Sequence, residues 1–238
     1  MADSERPSYV AFFDILGFRE LVKTKDLSPL ALEMRVLRGK ASLMAMGLNC
    51  KSIQFSDSIL GYTEGIEAGN LEQIIAFSSK LMGSALRQGF ALRGGIAAGE
   101  FSHEGETFLG KAMNRAYEIE EAQDWAGIVL DPGILRRLPQ ETNEANAKRG
   151  KELDRLVDEF YVIPWSTPIK GGSFTLNCVN WIADFHPRWK VEERVGLTGS
   201  ESLDVLRKIH HTDHFLNSVR NHMMGDPRFR DRLVAGWG

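Results

Sequence analysis

The sequence predicts an α+β fold: an antiparallel sheet with helices on one face, built on a ferredoxin-like core. Three observations predict it. Apolar strand-like runs and helical stripes follow one another as βααββαββαβ up to residue 131. The segment "SIQFSDSILGYT" reads as a hairpin, a connection open only to antiparallel strands. The composition, 43% hydrophobic and 26% charged, is that of a chain able to bury a core.

The elements follow in order. "YVAFFDILGF" opens with a buried strand over residues 9–13, and Gly17 to Lys25 forms a short helix. Pro29 opens a longer helix with a broad stripe of Leu30, Leu32, Met34, Leu37, Leu43 and Met44. In the hairpin, Ile53 and Phe55 share one side, Ser56-Asp57 form the turn, and Ile59 to Thr63 return. Residues 71–88 are an amphipathic helix. "FALRGGIAAGEF" is a glycine-rich strand, "ETFLG" a short strand, "KAMNRAYEIEEAQ" a helix and "AGIVLD" a strand closed by Pro132. Further on, residues 139–157 read as helix, "FYVIPW" and "SFTLNCVNWI" as strands, and 200–222 as helix. This divides the chain into a core at 8–135 and an extension at 136–238 packed on it.

Net charge is −3, from 29 basic and 32 acidic residues, so nothing global points to nucleic acid or an anionic membrane. Cys50 and Cys178 form neither a disulfide framework nor a zinc-site spacing. No apolar run approaches membrane-spanning length, and "MADSERPS" lacks a signal-peptide core. The expectation is a reduced, cytoplasmic protein whose ligand information lies in local motifs.

Two such motifs are acids set in apolar strand. Asp14 ends the first strand, and Asp57 sits at the hairpin turn. Singly, each reads as a cap or a turn residue. Together, on neighbouring strands, they could hold two divalent cations, as phosphoryl-transfer sites do. The Ile15 carbonyl could add a hard oxygen ligand. Gly17, at a helix start, would let backbone N–H groups approach a phosphate.

"FFDILGF", "FSDSIL", "LRGGIAAGEF" and "GKAMNRAYEIEEA", in this order, resemble the class III nucleotidyl cyclases over about residues 8–132. The short chain, with "YVIPW" and "VNWI" in its tail, is most similar to the bacterial Pycsar pyrimidine cyclases of antiphage defence. The resemblance implies a class III cyclase core and a homodimer with active sites at the interface. A nucleoside triphosphate would become its 3′,5′-cyclic monophosphate with release of pyrophosphate, assisted by two divalent cations, Mn2+ or Mg2+. The product would act on a separate cyclic-nucleotide-sensing effector. Asp14, the Ile15 carbonyl and Asp57 would be metal ligands, Arg93 a phosphate-binding cation, and Asn114 the residue that orients the ribose. Phe13, Gly17, Phe18, Ile53, Thr107 and Lys111 would line the substrate.

Two positions depart from the family pattern. Ile53 and Thr107 stand where purine cyclases carry the side chains that read the base, which implies a pyrimidine, UTP before CTP. An adenylate cyclase with unusual base contacts is the alternative. Glu118 stands where the family has its transition-state arginine. Arg93, with Arg115 as helper, is the preferred substitute, and Lys111 is a further candidate. Glu118 also leaves open a degenerate nucleotide-binding module or a dimerisation scaffold.

Other signals weigh less. "HHTDH" at 210–214 lacks a third spaced ligand and reads as structural histidine. Trp125, Trp165, Trp181 and Trp189 read as core or interface anchors.

Overall fold

The computed structural model describes residues 6–105, 107–138, 141–182 and 202–229. Strand β1 (Arg6–Ile15) lies inside the sheet between β3 (Ser58–Thr63) and β4 (Leu92–Glu104), antiparallel to both. Both its faces are covered, which is why it reads as an unbroken apolar run. Tyr9, Ala11, Phe13 and Ile15 point into the main core, and Val10 and Phe12 into a second, smaller one.

Helices α1 (Phe18–Thr24) and α2 (Leu27–Gly47) follow β1, and β2 (Cys50–Phe55) pairs with β3 at one sheet edge. Pro29 falls inside the first turn of α2, where a missing N–H costs little. Only Leu30, Leu37, Ala41 and Ala45 of α2 are buried, along one line of the helix. Leu32 and Leu43, part of the broad apolar stripe in the sequence, face outward. Helix α3 (Asn70–Arg87) is the main core helix, and its Phe77 meets Phe13 ring to ring at 6.2 Å. Each fully buried aromatic or aliphatic side chain of this kind stabilises the fold by about 1.5–3 kcal/mol.

After β4 come β5 (Thr107–Leu109), α4 (Lys111–Ala122) and β6 (Ile128–Leu130). Then follow α5 (Asn143–Asp158), β7 (Val162–Ile169), β8 (Gly172–Val179) and α6 (Leu203–Gly225). The sheet runs β2-β3-β1-β4-β6-β8-β7, with β5 folded back on β4. Strand β8 pairs with β6, so the C-terminal strands continue the same sheet.

The observed α+β architecture differs in two details from a plain antiparallel sheet with helices on one face. The β4–β6 pair is parallel, because α4 carries the chain back along the sheet. Residues of α2, α3, α5 and α6 join the main core, but Ala112 and Ala116 of α4 join the cluster on the opposite face. Gly95 allows this: a Cβ there would run into the Ala116 carbonyl and Ile119.

Trp125 and Trp181 are fully buried, in line with core anchors, whereas Trp189 lies outside the described residues. In the histidine cluster, His211 bonds the Asp124 backbone carbonyl at 2.9 Å and His214 lies against the Trp165 ring. Among the described residues no group of three or more His, Cys, Asp or Glu is placed to hold a metal, and no helix is long and apolar enough to cross a membrane.

Candidate active site

The β2–β3 turn brings the two acids together. It is closed by two residues, with Ser56 in the left-handed region at φ 53°. Ser58 is the register partner of Asp14, so Asp57 stands one residue beyond it at the same end of the sheet. Neither carboxylate makes an ion pair within the described residues. Burial pushes the Asp14 carboxyl up to about 6, and the Asp57 charge adds to the rise. Arg93, the Ile15 backbone N–H and Arg19 pull the other way. Two carboxylates crowded at a half-buried edge, without an ion-pair partner among the described residues, fit divalent cations. Ile15 follows Asp14 directly in the chain, at the end of the sheet where Asp57 also stands. The chain then turns at Gly17, whose φ of +74° favours glycine, and enters α1.

Arg93 is the register partner of Asp14 on β4, but its guanidinium is not free for a phosphate. Its Nε donates to Glu120 of α4, and its Nη1 donates to the Gln123 carbonyl at 3.0 Å. The preferred phosphate-binding cation is thus committed within its own chain. The reason is packing: α4 lies directly on β4 and places an acid over the arginine. Burial pushes the Glu120 carboxyl up to about 7, with Arg93 opposing and Asp14 adding to the rise.

Phe13 also departs from expectation. It is fully buried in the main core, and side chains alternate along a strand, so Phe13 and Asp14 face opposite ways. It therefore cannot line the substrate. Phe18 is partly buried against the same core.

Ile53 and Thr107 are not brought onto one surface. Ile53 packs on the smaller cluster. The middle residue of β5, Phe108, turns inward to stack on Phe55 at 5.4 Å, so Thr107 projects outward and is exposed. Ile53 and Phe55 line an open groove of about 570 Å3 along β2, with Arg38, Gln54, His103 and Phe108.

Asn114 and Arg115 lie on the exposed side of α4. Arg115 donates to Asp131 at 3.0 Å and to Glu118 at 3.1 Å, and Lys111 pairs with Glu100 at 2.7 Å. The start of α4 lies at Gly99, six residues and so about 20 Å along β4 from Arg93. Asn114 lies between Ala112, which packs over Gly99, and Ala116, which packs over Gly95, and is exposed, so it faces away from its own sheet.

Sequence reasoning does not single out Glu120 or Gln123. A signal exists: Glu120 interrupts the buried line of Ala112, Ala116 and Ile119, where a charge needs a partner. Gln123 donates to the Gly94 carbonyl at 2.8 Å and accepts from the Trp125 indole at 2.9 Å, which secures the end of α4 to β4.

No protein-family model and no curated protein matches the sequence. Solved structures do match. The catalytic core of a rhodopsin-guanylyl cyclase with converted specificity, in complex with ATPαS, superposes with a TM-score of 0.54 at 14% identity, over 74% of this chain and 96% of that one. The chain has the fold of a guanylyl cyclase catalytic domain. The guanylate cyclase domain of RhGC from Catenaria anguillulae, in complex with GTP, gives 0.52 at 12% identity over 74% and 97% of the two chains. The monomeric guanylyl cyclase domain of the RhoGC fusion protein from Blastocladiella emersonii gives 0.53 at 13% identity over 74% and 95%. The cyclase fold thus accounts for nearly the whole length of those domains and about three quarters of this chain.

Proposed function

We propose that the protein is a nucleotidyl cyclase that converts a pyrimidine nucleoside triphosphate, UTP before CTP, to its 3′,5′-cyclic monophosphate and pyrophosphate. The observation that carries this reading is the Asp14–Asp57 pair: two crowded carboxylates, without an ion-pair partner among the described residues, at a sheet end of a cyclase fold.

Asp14, Asp57 and the Ile15 carbonyl would hold two divalent cations, Mn2+ or Mg2+. When bound, such ions lower the pKa of an attacking hydroxyl and neutralise a leaving phosphate. The 3′-oxygen bonds to the α-phosphorus, the bond to the pyrophosphate oxygen breaks, and the hydroxyl proton passes to solvent. Gly17 lets the backbone approach the phosphates. Because Arg93 is held by Glu120, the solvent-facing cations Arg115 and Lys111 supply the charge, and Asn114 orients the ribose.

These helix residues serve the site of a second copy. The outward orientation of Asn114 supports a homodimer with sites at the interface. Ile53, which offers a purine no hydrogen bond, supports a pyrimidine. It would leave a purine's polar edge unpaired at a cost of about 1–3 kcal/mol. The likeness of the tail to Pycsar cyclases supports a second-messenger role in antiphage defence, in the cytoplasm, acting through a separate effector. Within the proposed extension at 136–238, β7 and β8 continue the sheet.

Incubating the purified protein with each of the four ribonucleoside triphosphates and Mn2+, with products read by mass spectrometry, tests the reading. Cyclic UMP and pyrophosphate are expected. A preference for ATP or GTP would overturn the pyrimidine assignment. Glu118, an acid among the α4 cations, favours a second reading, a nucleotide-binding module without turnover. Metal-dependent UTP binding with no cyclic product would establish that reading instead.

A further inference from the structure

The buried pair between β4 and α4 has a direct bearing on the metal edge. Asp14 and Arg93 are opposite each other in register on antiparallel strands. Side chains so placed share a face, with Cβ atoms about 4.5–5.5 Å apart. An aspartate and an arginine in that relation would ordinarily pair with each other. Here they do not. Arg93 turns instead to Glu120 and to the Gln123 carbonyl, and its side chain is only 11% exposed while that of Glu120 is 3% exposed. Gln123 is itself hydrogen-bonded to Gly94 and Trp125, which secures the carbonyl that Arg93 uses.

We propose that Glu120 is a positioning residue: it holds Arg93 away from Asp14 and so keeps the Asp14–Asp57 edge open to divalent cations. This rests on the metal-site reading above. Four charges decide the outcome, those of Glu120, Arg93, Asp14 and Asp57. With Glu120 ionised, Arg93 is neutralised at close range and the two aspartates retain a net negative field. Without it, a buried guanidinium would be left with a single backbone carbonyl, and its nearest remaining anion would be Asp14. The arginine would then occupy the place a cation needs. Glu120 touches no reacting atom. It acts through Arg93, and α4 presents it while carrying Asn114 and Arg115 on its other side.

The test is the affinity of the full-length protein for Mn2+, measured by electron paramagnetic resonance, with and without a non-cyclisable UTP analogue. Glu120→Gln should weaken Mn2+ binding about tenfold or more, since an unscreened charge within a few ångströms of a half-buried site carries that much. Removing both partners, Arg93→Gln with Glu120→Gln, should restore Mn2+ affinity to the wild-type level or better. A role in packing alone gives the opposite result, because the double variant would then bind no better than the single one. Unchanged affinity in Glu120→Gln, or no recovery in the double variant, overturns the proposal. If Glu120→Gln does not fold, the charge-free double variant decides: Mn2+ binding weaker than wild type overturns the proposal. A wild-type protein that binds no Mn2+ would instead remove the metal-site reading, and this inference with it.

Discussion

Replacing Asp14 by asparagine should make the metal-free protein more stable while leaving it unable to turn over. The Asp14 carboxyl is raised from its ordinary 3.8 to about 6, mainly by burial and then by Asp57. Between those values the folded chain keeps a proton that the unfolded chain has released, so stability falls as pH rises through that window. Each pH unit of the rise corresponds to about 1.4 kcal/mol, which sets a ceiling of about 3 kcal/mol. Asp14 is only partly buried and solvent screens it, so about 1–2 kcal/mol is the expected penalty near neutral pH. The asparagine side chain carries no charge and escapes it. Urea unfolding in a chelator should therefore show the variant more stable than wild type by about 1–2 kcal/mol at roughly pH 8, with the difference gone by roughly pH 4. Adding Mn2+ should stabilise wild type and leave the variant unmoved. A wild-type protein as stable as the variant at the higher pH, without metal, would refute the claim that these acids are crowded at a half-buried edge.

Asp57→Asn should abolish cyclic-nucleotide production with the circular dichroism spectrum unchanged, and normal production would remove the metal site. Mixing Asp57→Asn with Asn114→Ala after subunit exchange should restore about a quarter of the wild-type rate, because half the dimers are mixed and each has one intact site. A mixture that exchanges yet stays inactive would place the whole site in one chain. In competition at equal concentration, UTP should be used over ATP by roughly one to two decades. Ile53→Lys should raise the ATP share. An unchanged ratio would show that other residues read the base, the groove beside Phe55 and Phe108 being the next place to look.

Much of this protein is decided locally, and to that extent the sequence alone is enough. The unbroken apolar run from Tyr9 to Phe13, the two-residue turn at Ser56-Asp57, and the helical lines of α3 and α4 depend on near neighbours, so the elements and the meeting of Asp14 with Asp57 are legible in order and spacing. What partners a side chain is settled by elements far apart in sequence. Phe13 looks like a site residue beside Asp14 until strand alternation and the position of α3 send it into the core. Arg93 looks like a free cation until α4 crosses to the opposite face and sets Glu120 against it. Ile53 and Thr107 look like a pair until the inward turn of Phe108 sends Thr107 outward. In each case the deciding quantity is burial: a charge or ring removed from water takes whichever partner the packing supplies, and only the tertiary structure specifies that partner.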